Sequence, residues 1–588
     1  MKRLEIYQVF FILHKLLKKL NIYNIIILEV YKMKKVFAIT LILLFFICGC
    51  HSHSYEKEWM YDEIYHYHKA ICCDGEVKDL ENHQLIEDII IEPTHNRKGE
   101  AVYMCSICDY YRVEELETIA HTYGDEYYYD SINHYNLCTC GKKGNIEEHN
   151  YKEGEIVIEG SKYSTGLQKY TCECGSVKEE VIDSNTYEID KDKESIYLIT
   201  TSAGSDISTS VGISWHSKKS GSFLVYKKEG TKEFKEVKPN EEYWSLEENH
   251  IADPYQEKRY VCTVDLKGLE PNSKYIYKIV SDEVMSNELS FKTADNSASK
   301  YSFLSFVDFQ YSENEKTLNL VKLFTKNNPD ANLITCSGDI TDEGYKESSH
   351  RYLFDTEVFS NSILAFGAGD HEYWGTGSSP IIMMKRPYSY NRLFNNPKNG
   401  CEGYLNSSYY FNYNSSLFVF LDCGDSNVSG SNEIFSKQAE WLDNVLSTQT
   451  YEFVIVCMHK SLYGDPKQDG AIKKMTNVLT PVFDKYNVDL VISGHDHEYS
   501  RTNSLYNGQN SNLGTVYLDL GNSGSKTRAT GEDIKNSNLY AKYIDIKENN
   551  YSLGIVGTVE NDKLTIKVLN QNYTIVDEVI IDKKERLL

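Results

Sequence analysis

The sequence of 588 residues contains no long low-complexity tract and few basic residues for its size. Lys and Arg number 62 against 86 Asp and Glu, which gives a formal net charge of −24. An acidic surface repels the phosphate backbone of nucleic acids, so the composition argues against a DNA- or RNA-binding role. The hydrophobic fraction of 41% and the charged fraction of 25% are typical of a globular protein, and the length suggests about three or four domains.

Long uninterrupted apolar runs are lacking at the amino terminus. The run VFAITLILLFFI, which follows Met33 and two lysines, has about 12 residues and is short for a membrane span. It ends at Ile47-Cys48-Gly49-Cys50, which resembles a bacterial lipobox. We therefore interpret residues 1–49 as a lipoprotein-type signal peptide with Met33 as the true start, and Cys50 as the lipidated first residue. This predicts a protein anchored by lipid on the extracellular face of a bacterial membrane; the alternative is a transmembrane anchor with a chance cysteine.

Histidine is scarce after residue 300, where five of the 17 histidines occur, and four of these five lie in motifs of one kind. In each motif an apolar run stops at a residue type that binds metals, as in LITCSGD and VISGHDH. Open α/β sheets place their chemistry where parallel strands end, so several such ends within about 200 residues indicate one site. The residues at these ends are Asp308, Asp339, Asp370, His371, His459, His495 and His497.

The segment GHDHEYSRT at 494–502 is close to the signature GHxHxYxRT, and here the chain resembles the purple acid phosphatase branch of the calcineurin-like metallophosphoesterases. The resemblance covers roughly Ser195 to Lys583. It implies an α/β four-layer sandwich at 296–545, completed by a C-terminal β segment at 546–588. It also implies two metal ions, of Fe, Zn or Mn, in one site. By this resemblance Asp339 bridges the two metals, Asp308 and His497 bind the first, and Asp370, His459 and His495 bind the second.

The chemistry of such a site follows from the substrate. A phosphate ester resists attack because its oxygens are anionic, and two cations about 3.5–4 Å apart neutralise that charge while ionising a bound water. His371 can protonate the leaving alkoxide or hold the phosphate oxygens. Arg501 can add a fork of donors for phosphate, and a surface salt bridge is the alternative role for this arginine.

Three positions depart from the family pattern. Gln310 replaces the usual histidine of the first motif, Asp342 replaces the tyrosine that colours the purple enzymes, and Asp370 replaces the usual asparagine. Phenolate-to-iron colour is therefore not expected, and Asp370 adds negative charge at the second metal. We treat Gln310 and Asp342 as accessory site residues.

Residues 50–190 are rich in Cys and His and repeat with a displacement of about 66 residues, which indicates two copies of a small unit. Units of this size need a cross-link to be stable, either a metal ion or disulfides. Histidines spaced regularly from cysteines favour structural zinc. Disulfides are the alternative, because the eight cysteines allow them in an extracellular protein. The candidate zinc ligands are His68, Cys72, Cys73, His83, Cys105 and Cys108, followed by His134, Cys138, Cys140, His149, Cys172 and Cys174.

Between these repeats and the strand-end motifs, residues 195–295 consist of short alternating runs separated by turns, which predicts an all-β sandwich. The segment GLEPNSKYIYKI within it resembles the fibronectin type III domain. Helices are predicted at 315–328, 437–447 and 471–486, between apolar strands.

The sequence therefore favours a surface-anchored phosphomonoesterase whose partner is a small phosphate ester. Alternatives are a phosphodiesterase or nucleotidase of the same family, or a surface metal-binding or adhesion protein with weakened catalysis. The oligomeric state does not follow from the sequence.

Overall fold

The computed structural model describes residues 53–72, 74–182, 186–244, 258–310, 315–356, 358–359, 361–374, 386–424, 431–464 and 470–586. The interpretations that concern residues 1–49, Cys50 and Cys73 lie outside these ranges. Within them, no helix combines the length and apolarity that a membrane crossing requires. The chain forms two compact units, one of residues up to Asn150 together with Cys172–Ser176, the other of Tyr151–Thr171 together with Val177 onward.

The first unit contains three small antiparallel sheets of three strands each. Most of their side chains are exposed, and the described apolar side chains that are buried in this unit are small or sulfur-containing, such as Ala101, Val102 and Cys138. The strands are β1 (Met60–Tyr61), β2 (Tyr65–Lys69) and β3 (Val77–Asn82); β4 (Leu85–Ile91), β5 (Gly99–Cys105) and β6 (Tyr111–Leu116); and β7 (Tyr128–Tyr129), β8 (Asn133–Leu137) and β9 (Lys143–Glu148).

The second unit begins with a similar small sheet and a larger β region. Trp215 and Cys262 are fully buried in the core of that region, where a six-stranded sheet faces one end of a ten-stranded sheet. The small sheet comprises β10 (Glu155–Ile158), β11 (Gly166–Thr171) and β12 (Val177–Ile182). The six-stranded sheet comprises β13 (Glu188–Ile189), β16 (Phe223–Lys228), β17 (Lys235–Val237), β20 (Lys274–Ser281), β21 (Val284–Met285) and β22 (Leu289–Lys292).

The ten-stranded sheet runs through both the sandwich region and the strand-end motifs. Its order is β18-β19-β15-β14-β25-β24-β23-β34-β35-β36. The junction is the parallel pairing of β14 with β25, where Ser202 lies opposite Leu364, so the accessory region predicted at 195–295 shares a sheet with the catalytic region. The strands are β14 (Ile196–Ala203), β15 (Ser210–Ser217), β18 (Asn240–Trp244), β19 (Arg259–Lys267), β23 (Lys300–Phe306), β24 (Leu333–Cys336), β25 (Ile363–Phe366), β34 (Leu553–Glu560), β35 (Lys563–Asn570) and β36 (Ile575–Asp582).

An eight-stranded sheet packs against the ten-stranded one, and their shared core includes Phe303, Phe418 and Ile455. Its central strands β27, β28, β29 and β32 are parallel neighbours. The strands are β26 (Tyr409–Tyr413), β27 (Ser416–Leu421), β28 (Phe453–Lys460), β29 (Leu490–Gly494), β30 (Tyr499–Tyr506), β31 (Gln509–Asn510), β32 (Thr515–Asp519) and β33 (Tyr540–Ile544).

Helices cover the outer faces of the two sheets, which confirms the predicted four-layer α/β sandwich. In the helix at 316–327 the buried residues Leu320, Val321 and Phe324 lie on one face, because their spacing follows the helical period. β28 is buried along its whole length, as expected for a parallel strand covered on both sides. The helices are Lys316–Asn327, Glu347–Phe354, Tyr390–Leu393, Ser431–Thr448, Gly470–Tyr486, Glu532–Lys535, Ile546–Asn549 and Lys583–Arg586, with a 3₁₀ turn at His371–Tyr373.

Candidate metal centre

The predicted strand-end residues meet at one edge of the two packed sheets. Asp308, Asp339 and Asp370 follow β23, β24 and β25, which are adjacent parallel strands. His459 lies near the end of β28, and His495 directly follows β29. Parallel neighbours end at the same edge of a sheet, so five separate sequence motifs supply one site.

Close pairs link the six predicted metal ligands. His459 Nε2 is 3.2 Å from Asp339 Oδ1 and 3.1 Å from Asp370 Oδ1. His495 Nδ1 is 3.0 Å from the same Asp370 oxygen. Two groups of ligand atoms are compact enough to hold an ion, one formed by Asp370, His459 and His495 and the other by Asp308, Asp339 and His459.

His497 and Asp308 leave polar atoms that no described protein group satisfies. Asp308 Oδ1 and His497 Nδ1 are buried without a hydrogen-bond partner, and they lie 3.8 Å apart. A buried carboxylate oxygen without a partner costs free energy, and a cation between these two atoms would remove that cost. The donor set of carboxylates and imidazoles also suits divalent first-row metals. The residues present therefore fit a metal centre.

The backbone is strained at several of these positions. Asp308, Asp339, His495 and His497 have φ between 46° and 74°, a left-handed conformation that residues other than glycine seldom adopt. Such strain persists only where the surroundings impose it, and it concentrates at functional sites. A Cβ on Gly494 would lie 1.8 Å from Asp308 Oδ2, so this position requires glycine for the strand end to approach the carboxylate.

The charges of the site are strongly coupled. Burial opposes ionisation of Asp370, yet hydrogen bonds from His459 and His495 hold the pKa of its carboxyl well below its usual range. Burial raises the pKa of Asp308 well above its ordinary value and lowers the pKa of His497 to about 3. Neutral His497 presents a free lone pair, which is the form of imidazole that binds metals.

His371 lies beside the ligands without belonging to either ligand group. Its Nδ1 donates to the backbone carbonyl of Asp342 at 2.5 Å, and its Nε2 is 3.1 Å from Gln310 Nε2. Gln310 also donates to Asp339 Oδ2 at 2.8 Å, so the residue that replaces the family histidine links the expected bridging carboxylate to His371. Trp374 stacks on the His371 ring with centroids 3.6 Å apart.

Glu372 holds the backbone beside the candidate ligands Asp339 and Asp370 by hydrogen bonds. The sequence did not predict this role. Its buried carboxylate accepts backbone hydrogen bonds from Asp339, Ile340 and Gly369 at 2.7–3.0 Å. Burial raises the pKa of Glu372 to about 7. The sequence signal that could have indicated this role is the position of Glu372 directly after His371.

Two basic residues also line the cleft and were not predicted. The cleft has a volume of about 480 Å³ and contains Lys526 and Arg528 beside His371 and His497. Lys526 forms an ion pair with Asp342, and Arg528 N donates to the carbonyl of His497 at 2.6 Å. Both basic residues lie on the loop after β32. The sequence feature that could have indicated them is a strand end followed by glycines, as in LDLGNSGSKTR.

Arg501 does not reach this cleft, which corrects its predicted role. Its guanidinium binds Asp577 of β36 at two points, with Nε to Oδ2 at 2.7 Å and Nη2 to Oδ1 at 3.1 Å. Tyr499 donates to the same carboxylate at 2.7 Å. Arg501 therefore joins the two sheets by a salt bridge, the alternative role that the sequence left open.

The predicted zinc ligands are rearranged in the structure. One cluster contains His66 where His68 was predicted, and the ring of His68 instead stacks on Trp59. Cys72 was among the predicted ligands, but its Sγ lies 3.4 Å from Nδ1 of His53, a residue that was not predicted. The two clusters that resemble each other are His66, His83, Cys105 and Cys108, and His134, His149, Cys172 and Cys174.

The correspondence between these clusters is close. Cys105 and Cys108 lie 3.8 and 3.4 Å from the histidines of the first cluster, and Cys172 and Cys174 lie 3.7 and 3.4 Å from those of the second. The counterpart of His134 is therefore His66. Cys138 and Cys140 belong to neither cluster.

Comparison with known proteins agrees with this geometry. Residues 294–499 match the model of the calcineurin-like phosphoesterase family, and residues 197–293 match that of the purple acid phosphatase N-terminal domain. An uncharacterized protein of Mycobacterium tuberculosis is 30% identical over 152 residues, which cover 24% of this chain and 27% of that protein. Purple acid phosphatase 21 of Arabidopsis thaliana is 26% identical over 270 residues, covering 45% of this chain and 58% of that protein.

The chain thus spans about a quarter of the mycobacterial relative and somewhat over half of the plant one. Among solved structures, the purple acid phosphatase PPD1 from yellow lupin seeds shares the fold with a TM-score of 0.56 and 16% identity, covering 72% of this chain and 81% of that one. The two family models adjoin without overlap at residues 293 and 294. The second one ends at residue 499, within the motif that holds His495 and His497. The chain therefore contains a calcineurin-like phosphoesterase domain, preceded by a purple acid phosphatase N-terminal domain.

Proposed function

We propose that the protein is a binuclear metal-dependent hydrolase of phosphoric esters that acts on monoesters first. The supporting observation is a single cleft that brings metal-type ligands together with Lys526 and Arg528. Six candidate ligands from five strand ends can hold two ions, and two basic residues line the same cleft. This combination is suited to a small anionic ester.

The metal roles in this proposal follow the family resemblance. By that resemblance Asp339 would be shared by the two cations, Asp308 and His497 would hold the first, and Asp370, His459 and His495 would hold the second. When bound, the cations supply charge neutralisation for the phosphate oxygens and a lower pKa for a coordinated water. Fe, Zn and Mn all accept this donor set.

His371 is the proposed general acid. A carbonyl oxygen can only accept, so the bond to Asp342 fixes the proton on Nδ1 and leaves Nε2 facing the cleft. When protonated, His371 can therefore deliver the Nε2 proton to a departing alkoxide. Trp374 holds the ring plane by stacking, and Gln310 Nε2 can donate to His371 Nε2 when that nitrogen is unprotonated.

Lys526 and Arg528 favour monoesters over diesters. A phosphomonoester carries about two negative charges near neutral pH, whereas a diester carries one, so basic groups beyond the metals assist the monoester more. Lys526 is also held by Asp342, the residue that stands where the family has its colour-giving tyrosine.

The test is an assay of the purified full chain, loaded with Mn, Fe or Zn, on an aryl phosphate and on the corresponding bis-aryl phosphate. Lys526→Ala should raise KM for the monoester by about tenfold and change the diester much less. The matched control is Lys535→Ala, because Lys535 forms an ordinary surface pair with Glu532. Equal losses on both esters would contradict monoester selectivity, and two bound metals without turnover on any ester would favour a non-catalytic surface protein.

We also propose that the protein is anchored by lipid at Cys50 on the outer face of the membrane. The support is the sequence Ile47-Cys48-Gly49-Cys50 after a short apolar run. Cys50→Ser should release the protein from the membrane fraction or leave an unprocessed precursor. Unchanged fractionation and size would contradict the proposal.

The two matching His/Cys clusters are proposed to hold structural zinc. His83 and His149 each place Nε2 within 2.9 Å of a backbone carbonyl, and Nδ1 of each lies 3.4 Å from a cysteine sulfur. Zinc ligands are commonly fixed by such a bond from the other ring nitrogen.

A further inference from the structure

A third His/Cys cluster lies between the two matching ones. The ligand atoms of His95, His121 and Cys138 lie within 4.8 Å of one another. Cys140 Sγ is 3.3 Å from His121 Nδ1 and can complete a set of four. Neither His95 nor His121 belongs to the sequence repeat from which the zinc ligands were predicted.

The histidines of this cluster are oriented like those of a metal site. His95 Nδ1 is 3.2 Å from the carbonyl oxygen of Ile119, and because the carbonyl only accepts, Nδ1 carries the proton. Nε2 is then left as the lone-pair nitrogen, and it lies 3.5 Å from Oγ1 of Thr139, the residue between Cys138 and Cys140. The rings of His95 and His121 stack with centroids 5.1 Å apart, which holds both imidazoles at one place.

The cluster joins two consecutive small sheets of the first unit. His95 lies on the turn between β4 and β5, and His121 lies on the segment after β6. Cys138 and Cys140 follow β8 in the next sheet. The same arrangement holds in the preceding cluster, where two histidines from one sheet meet Cys105 from the next.

The first unit has little else to hold these sheets together. No apolar core cluster contains a residue of 53–150 among the described residues. Large apolar side chains such as Ile86, Ile90 and Val113 are more than half exposed. Sheets this small do not bury enough surface to be stable alone and need another constraint.

We propose that His95, His121, Cys138 and Cys140 form a third tetrahedral site for zinc or a similar thiophilic divalent cation. Each site then takes two histidines from one small sheet and two cysteines from the next. Successive sheets are therefore cross-linked by metal ions. The structural repeat is the single three-stranded sheet, about half the period that the sequence displays. Metal binding supplies the folding free energy that the missing core does not.

The experiment measures Co²⁺ bound to the full chain under reducing conditions. Thiolate ligands give Co²⁺ an intense charge-transfer absorbance, whereas the oxygen and nitrogen ligands of the catalytic centre do not. Replacing both His95 and His121 by Asn should remove one equivalent of the thiolate-bound metal. The variant His66→Asn with His83→Asn should remove one equivalent as well, and His68→Asn should remove none, because His68 stacks on Trp59 outside every cluster.

Turnover of an aryl phosphate should stay unchanged in the variant of His95 and His121. If that variant fails to fold, titration of the wild-type chain decides the question, because saturation of the thiolate band at two equivalents would overturn the proposal. Full retention of thiolate-bound metal in the folded variant would also overturn it. Loss of titratable thiols at Cys138 and Cys140 in metal-free native protein would identify a disulfide instead.

Discussion

At the scale of single residues, His371 and His459 contact different partners although both lie at the metal centre. His459 Nε2 touches Asp339 and Asp370, both candidate ligands. His371 is held by a carbonyl, by Gln310 and by the Trp374 ring. The first arrangement suits a metal ligand and the second suits a proton donor to the substrate.

The two alanine variants should therefore fail in different ways. His459→Ala should lower the metal content of the purified protein, because it removes the imidazole shared by two ligand groups. His371→Ala should keep both metals and lower kcat by about 10²–10⁴, the usual loss for a general acid. Metal analysis and kcat on one aryl phosphate check both expectations. Equal metal loss in the two variants would contradict the division of roles.

Arg501 provides a second test at this scale, because its partner is structural. Burial opposes ionisation of Asp577, but hydrogen bonds from Arg501 and Tyr499 lower the pKa of its carboxyl below the ordinary value. A depressed pKa in the folded state means that the ionised carboxylate stabilises the fold above pH about 4, and that this stabilisation is lost as the pH falls through the folded pKa.

Arg501→Gln should lower the free energy of unfolding by about 3 kcal/mol at neutral pH while leaving kcat nearly unchanged, because it breaks a largely buried pair outside the cleft. The difference from wild type should shrink below pH 4. Urea unfolding at several pH values measures it. A large fall in kcat at constant stability would restore a catalytic role for Arg501.

At the scale of elements, the site depends on strand ends that approach each other too closely for side chains. A Cβ at Gly494 would collide with Asp308, and one at Gly369 would lie 2.2 Å from Asp339 Oδ1. These glycines let the loops after β29 and β25 meet the carboxylates that follow β23 and β24. The packing of two sheets therefore sets the spacing of the ligands.

Gly494→Ala should displace Asp308 and lower metal content and kcat at least tenfold, with a smaller loss of stability, because the clash is local to the centre. Gly124→Ala is a suitable control, since its nearest neighbour to an added Cβ is 4.0 Å away. Metal analysis with thermal unfolding separates the two effects. Normal metal content in Gly494→Ala would show that the Asp308 loop moves freely.

At the scale of the whole chain, the two compact units differ in what stabilises them. The second unit has extensive apolar cores on both sides of its large sheets. The first has no such core among the described residues and contains the His/Cys clusters. Removal of metal should therefore affect the two units unequally.

A chelator with a reducing agent should open residues 53–150 to proteolysis while the region after residue 195 stays protected but inactive. Limited proteolysis, with mass spectrometry to locate the cuts, measures this, and zinc added back should restore protection. Protection of residues 53–150 in metal-free protein with oxidised cysteines would support the disulfide alternative instead.

The sequence alone determined the catalytic fold and the strand ends at which the candidate metal centre lies. Each ligand follows its own apolar strand, and the strand and its end are local features that periodicity and glycine positions reveal. The four-layer sandwich is accordingly as predicted, and the assignment of Asp308, Asp339, Asp370, His459, His495 and His497 as metal ligands stays a prediction. Helices expected at 315–328 and 471–486 occur at 316–327 and 470–486.

Only the tertiary structure decided which residues are neighbours across long stretches of chain. Arg501 pairs with Asp577, 76 residues away, and Lys526 arrives at the cleft on a loop whose path depends on sheet packing. His66 and His68 lie two residues apart on β2, and the pairing of that strand is irregular between them, so sequence spacing did not distinguish them. The packing of the neighbouring small sheets does, because it brings Cys105 Sγ to 3.8 Å from His66 Nδ1, and such packing depends on segments that are distant in the sequence.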